Sequence, residues 1–391
     1  MDPNPYTQAK KSSNITVECQ LNHIPQSSHN LGQMSLKMIS LASSVILLAF
    51  LKLAISQQIG REVREDHPKL NWTQCTTDGS CREVGGELTL DEKWRWVHKV
   101  DSYRDCYYWG YSEWNEEACD SEANCTTNCA VEGADYSPRN GYGISAANNS
   151  VSLQLVTKKD FATNVGLRLF LLDSKTRYQT FTLLNNEFAF DVNLSSVGCG
   201  VSSALTFVEM EADGGVGRFP TNKAGAEYGV GYCDSKCTRD QLFVGGKVCP
   251  SSRSFYSLLM FRGRQMSKAG RLPKLSHIQE LANTGHAAPN SPCGMIIPLF
   301  FKILLTVSSR VIVPRNSNAH SYAMSSHLCA TPGYQVCQGG SDCDVFSGNI
   351  SKARCDPVGC SYSPNQTGAE NFYGKGKTLD TSRSFTYVLS V

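Results

Sequence analysis

Histidine is scarce in this 391-residue chain, with 8 in all, and no two cysteines stand in C-x2-C spacing. Tetrahedral zinc modules are built from such pairs, so both shortages argue against one, and no metal is expected. A large excess of one charge is also missing. The net charge of +2 excludes neither an acidic nor a basic partner, and no nucleic-acid partner is expected. Against these absences stand 17 cysteines. A reducing cytosol has no use for so many thiols without a metal, whereas an oxidising compartment makes them a disulfide framework. A secreted, extracellular protein is expected.

The leader that secretion needs is present, but not at residue 1. Met38 to Ile55 reads MISLASSVILLAFLKLAI behind Lys37, and Ala54-x-Ser56 is a small-residue cleavage site leaving Gln57 as the mature N-terminus. Residues 34–56 are therefore read as a signal peptide. The run is about long enough for a transmembrane anchor, but Lys52 interrupts it and a cysteine-rich stretch follows. No membrane attachment is expected after cleavage. Residues 1–33 are polar, resemble no targeting class, and are expected to be a spurious extension. Sequons at Asn71, Asn124, Asn148, Asn193, Asn349 and Asn365 are consistent with a glycoprotein.

The rest of the chain is organised around Phe181–Asp240. Phe188, Phe190, Val192 and Leu194 share one side of an extended run, with Ala189, Asp191 and Asn193 on the other. Leu205, Phe207 and Met210 repeat the pattern after the turn residues Gly198 and Gly200. Alternation at this period, punctuated by glycine, predicts half-buried antiparallel strands. Upstream, His67–Cys129 is loop-rich and dense in aromatics, with Trp94 and Trp96 in a W-R-W expected to be one strand with both rings on one face. Spacing alone leaves core packing and sugar stacking both open for such a pair.

NNEFAFDV, ALTFVEMEADGG and FPTNKAGAEYGVGYCDSKC closely resemble the cellulases of glycoside hydrolase family 7, known from fungi. GGELTLDEKWRWVH, TNVGLRLFLLD and NSNAHSYAMSSHLCATPGYQVC extend the resemblance. It covers about 57–240 and 316–391. The resemblance implies an all-β, antiparallel β-sandwich (a jelly roll, concanavalin-like) with long loops around a cellulose groove, incomplete in this chain. It implies retaining hydrolysis of β-1,4-glucan outside the cell by a monomer, with cellulose or another β-1,4-glucan as partner. No cofactor is implied, because carboxylates alone carry that chemistry. By position it implies substrate contacts for Trp94, Trp96, Tyr142, Arg168, Tyr232, Asp234 and Asp240. An indole suits the apolar face of a sugar ring, and a guanidinium fork suits its hydroxyls. Ser202, Thr206 and Lys236 depart from the family's Asn, Tyr and Gln.

The family's catalytic signature, C-C-[SA]-E-M-D-[IV]-W-E-A-N-S, is absent. Retaining hydrolysis needs two carboxyl groups about 5 Å apart, one attacking the anomeric carbon and the other protonating the leaving oxygen. Aligning backward from Asn316-Ser317 puts Ser309 at the nucleophile, Val311 at the middle Asp and Pro314 at the acid/base. None of the three can do that work. Glu209 and Glu211, at i and i+2, are no substitute, since the family has small or acidic residues there in a structural setting. Lys247–Arg315 holds ten Lys or Arg and the single acid Glu280, giving +9. Alternation stops within it, and IIPLFFKILLTV is an isolated apolar run, too short to span a bilayer. Residues 247–315 are therefore read as a foreign segment between 57–246 and 316–391. A faulty gene prediction or a decayed gene explains this, and a genuine insertion with a new role is the alternative.

The resemblance implies disulfides Cys75–Cys81, Cys106–Cys129, Cys119–Cys125, Cys329–Cys355 and Cys337–Cys343. Cys233 and Cys237 lose partners with the missing motif, and Cys199 and Cys360 would need cysteines past residue 391. Cys249 and Cys293 of the foreign segment could mispair with them. Each lost bridge typically costs about 2–5 kcal/mol, so poor folding is expected.

Overall fold

The computed structural model describes residues 56–108, 113–138, 141–159, 163–183, 185–199, 201–232, 242–244, 246–248, 299–307, 313–326 and 360–390. All lie in the unit Ile39–Val391. Helix is nearly absent among them: one seven-residue helix, α1 (Glu122–Asn128), and a few 3-10 turns.

One nine-stranded sheet dominates. Its strands in chain order are β1 (Glu87–Leu90), β2 (Leu167–Ser174), β3 (Arg177–Tyr178) and β4 (Thr180–Phe181). A separate two-stranded ladder pairs β5 (Glu187–Val192) with the C-terminal strand. The large sheet continues with β6 (Val201–Glu209), β7 (Leu299–Val307), β8 (Val313–Ser317), β9 (Tyr322–Ser326) and β10 (Cys360–Tyr362). The C-terminal strand is β11 (Phe385–Ser390). In space the large sheet runs β3-β2-β7-β6-β8-β9-β10, with β1 beside β2 and β4 beside β7.

The alternation at Phe188–Leu194 works as expected. Phe188, Phe190 and Val192 are half-buried while Glu187, Ala189 and Asp191 are exposed. The phenyl rings lay this ladder on the large sheet: Phe188 meets Phe207 edge-on at 5.0 Å and Phe181 at 5.6 Å. That contact makes the second layer of the sandwich. β6 differs, because Thr206, Phe207 and Val208 in succession are all buried. A central strand is covered on both faces, and half-burial is left to the edges. β2 shows both faces most clearly. Leu167, Leu169 and Leu171 join one core cluster, while Phe170 and Leu172 join Tyr178, Val208 and Tyr232 in another. Each fully buried Leu or Phe contributes about 1.5–3 kcal/mol.

Two features depart from the sequence-based expectation. Leu299–Val307, read as an isolated apolar run in a foreign segment, is strand β7, and it pairs in parallel with both β2 and β6. These ladders are parallel, whereas β1–β2, β2–β3, β6–β8, β8–β9 and β9–β10 are antiparallel as expected for the sandwich. LFFKILLTV, apolar apart from Lys302 and Thr306, lacks the alternation of a half-exposed strand, and its backbone runs between two other strands of the sheet. The W-R-W stretch is also not one strand. Glu92–Trp94 forms a 3-10 turn capped by Asp91, whose Oδ1 accepts the Lys93 amide at 2.9 Å, and a strand follows only at Val97–Lys99. The cap breaks the alternation, and the two tryptophans acquire different neighbours.

Disulfides tie the aromatic-rich loops as expected at Cys75–Cys81, Cys106–Cys129 and Cys119–Cys125. The last two enclose α1 and pack with Tyr107, Trp114 and Phe243. Cys199 does not need a partner past residue 391, because it is disulfide-bonded within this chain. Thiols pair by proximity in the fold they occupy, not by ancestral register. Cys329–Cys355 and Cys337–Cys343 lie outside the described residues.

Candidate functional site

The even-numbered face of β2 carries the polar centre. Arg168 is only 4% exposed, and its Nε donates to Asp91 Oδ2 at 2.7 Å. Its guanidinium lies 3.8 Å from the Tyr232 ring centroid and 5.4 Å from that of Trp94. A guanidinium leaves water only where a counter-charge and aromatic faces receive it. Asp91 therefore does two jobs, capping the turn that carries Trp94 and holding Arg168 under it. Trp94 is half-buried, with its Nε1 donating to Val165 O at 3.5 Å. Tyr232 is 1% exposed and sits in the second core cluster, so it braces Arg168 rather than facing solvent.

Beside Asp91 lies Glu92, 1% exposed. Its Oε1 accepts the Phe243 amide at 3.3 Å, and its Oε2 has no hydrogen-bond partner among the described residues. Burial first, and then the charge of Asp91, push its pKa well above the carboxylate range.

Arg95, between the two tryptophans, points the other way and is fully buried. It forks onto Glu65 at 2.6 and 2.9 Å and donates to Thr89 Oγ1 and Leu90 O, both at 3.0 Å. Burial alone would raise the Glu65 pKa, but the charge and hydrogen bonds of Arg95 outweigh it and hold the carboxyl well below its ordinary range. His67 contacts the same carboxylate at 3.1 Å. Burial opposes its protonation, yet the hydrogen bond and charge of Glu65 raise its pKa. This network locks the base of the W-R-W turn. The sequence signal for Arg95 is a charge flanked by two tryptophans, which leaves its partner Glu65, 30 residues away, unmarked.

Trp96 occupies a separate place. It is half-buried, its Nε1 donates to Asp105 Oδ1 at 2.6 Å, and its ring stacks on His98 at 4.1 Å. Tyr142 is half-buried against the main core, with the Lys159 ammonium 3.7 Å from its ring. Burial pushes its hydroxyl pKa up to about 12. The structure thus brings Trp94, Arg168 and Tyr232 together around Asp91, while Trp96 and Tyr142 have other neighbours.

Asp234, Asp240, Ser309 and Val311 lie outside the described residues. Pro314 is placed by its backbone alone, in β8, in register opposite Thr206 of β6. Thr206 is 2% exposed, and its Oγ1 has no hydrogen-bond partner among the described residues. Glu211 pairs with Arg218 at 2.9 Å. Among the described residues, no group of three or more His, Cys, Asp or Glu could hold a metal ion.

Fold and site together define a jelly-roll sandwich with an aromatic-flanked Arg–Asp pair on its large sheet. A profile of glycosyl hydrolase family 7 matches residues 59–254 and 314–390. A cellobiohydrolase of that family from Daphnia pulex is 32% identical, with a TM-score of 0.66 over 85% of this chain and 67% of its own. The Melanocarpus albomyces cellobiohydrolase, solved with cellotetraose, is 36% identical, with a TM-score of 0.64 over 85% and 67%. An endoglucanase I solved with cellobiose is 25% identical, with a TM-score of 0.60 over 85% and 68%. This chain belongs to glycosyl hydrolase family 7, a family of cellulase-type glycoside hydrolases. It spans about two-thirds of the length of these solved relatives.

Proposed function

We propose that this chain is a secreted, monomeric β-1,4-glucan-binding protein on a cellulase fold, built for retaining hydrolysis but without the carboxylates that perform it. What supports this is Pro314: aligned backward from Asn316-Ser317 it takes the acid/base position, and a proline there has no proton to give; its strand β8 pairs with β6. Trp94 supports retained glucan binding, since its half-buried ring is positioned by the buried Arg168–Asp91 pair. By family position, Trp96, Tyr142, Asp234 and Asp240 would add further glucan contacts. Cellotetraose and cellobiose in the solved relatives support the substrate class. Three disulfides support folding in an oxidising compartment, and exposed Asn124 and Asn148 are open to glycosylation.

Two assays on the purified chain test this. A soluble aryl cellobioside should release no aglycone above buffer, and a cellulose pull-down should retain the protein. Measurable hydrolysis would show that a carboxylate pair has been overlooked. Failure to bind would leave a non-functional product. The sequence of the transcript across codons 245–320 then separates the origins. An E-x-D-x-x-E before Asn316 would make the natural protein an active cellulase, and 247–315 a mistranslation.

A further inference from the structure

We infer that Tyr103 extends the Trp96 ring into a two-aromatic platform that receives the apolar faces of successive sugar rings of a β-1,4-glucan. This rests on the glucan-binding reading proposed above. Tyr103 is 76% exposed, the highest value among the exposed large hydrophobic side chains of the described residues. Its ring lies 6.0 Å from that of Trp96 at an interplanar angle of 20°, an offset parallel pair rather than an edge contact.

The pair grows outward from a fixed base. Glu132 is 0% exposed and accepts from Glu62, Val63 and Gly133 amides. Its Oε2 lies 2.8 Å from Nε2 of buried His98, whose Nδ1 lies 2.8 Å from Ser102 O. His98 in turn stacks under Trp96, which Asp105 holds by the indole nitrogen. Burial falls along this series from Glu132 to Tyr103. An aromatic ring needed only for packing would lie at the inner end.

The loop that carries Tyr103 is also held. Lys99 N donates to Arg104 O at 2.8 Å, Ser102 N donates to Lys99 O at 3.0 Å, and Asp101 sits at φ 55°. Asp tolerates this left-handed conformation better than most residues. The Tyr103 hydroxyl donates to Glu62 Oε2 at 2.6 Å, which limits rotation of the ring and leaves its face to solvent. Glu62 and Asp105 flank the two rings with carboxylate oxygens that can accept from sugar hydroxyls. Flat apolar faces with acceptors at the rim match a chain of glucose units, which is apolar on its ring faces and hydroxylated at its edges.

Cellohexaose binding to the full chain, measured by titration calorimetry, tests this with Tyr103→Ala and Tyr103→Phe. Tyr103→Ala is expected to weaken binding about three- to tenfold, with an unchanged melting temperature. Tyr103→Phe keeps the stacking face and is expected to bind as the unmodified chain does. Nitration of Tyr103 in the unmodified chain is expected to slow when cellohexaose is added. Unchanged affinity in Tyr103→Ala, or nitration indifferent to cellohexaose, overturns the platform and leaves the glucan reading standing. No cellohexaose binding by the unmodified chain removes both.

Discussion

Two buried carboxyl groups in this protein respond to pH with opposite sign. Glu92 has a folded-state pKa well above the 4.5 of an ordinary glutamate. Below about pH 4.5 both states hold the proton and burial carries no ionisation cost. Above it the unfolded chain releases the proton while the folded chain retains it, so stability falls as pH rises toward the folded pKa. Glu92→Gln is expected to raise the melting temperature, by an amount that grows from pH 4 to pH 8. A pH-independent difference between the two proteins would contradict this. Glu65 behaves in reverse. Its depressed pKa contributes stability that is present above 4.5 and lost as pH falls through the folded value. Arg95→Met strands that carboxylate in the interior, and denaturant unfolding at pH 7 should show a loss of about 3–5 kcal/mol.

At the scale of elements, the glycines that let loops approach strands matter more than their size suggests. Gly229 has φ +67°, and a Cβ there would lie 2.1 Å from Leu90 O, at the end of β1. Its carbonyl also accepts the Glu92 amide at 3.3 Å. Gly229→Ala should cost about 2 kcal/mol or more and disturb the turn that carries Trp94. A lower melting temperature together with altered tryptophan fluorescence is the expected pair of readings. β5 was legible in advance because one of its faces stays wet, so the pattern of Phe188, Phe190 and Val192 mirrors the environment. β7 was not, because LFFKILLTV does not alternate, and an apolar run without alternation resembles a helix, an anchor or noise as much as a strand. The W-R-W turn was hidden by a local hydrogen bond from the Lys93 amide to Asp91, which overrode the strand period within three residues. The Arg168–Asp91 pair was half legible: strand position and family resemblance pointed to the arginine, but only folding shows the aspartate that holds it.

At the scale of the whole molecule, cross-links stand in for part of the core. Cys106–Cys129 and Cys119–Cys125 hold a region whose strands are two or three residues long. Loss of a native bridge in a secreted domain typically costs about 2–5 kcal/mol, a large share of the total stability of any domain. Thermal melts with and without reductant should therefore differ by many degrees, and equal melts would mean that these bridges carry no stability.

The position of β7 also governs when the large sheet can close. β2 and β6 are separated in space by β7, a strand that begins 125 residues past the end of β2 (299 − 174) and 90 past the end of β6 (299 − 209). Until Leu299–Val307 emerges and docks, each half of the sheet presents an open row of backbone donors and acceptors to any neighbouring chain. Slow refolding, strongly dependent on protein concentration, follows from that order of assembly.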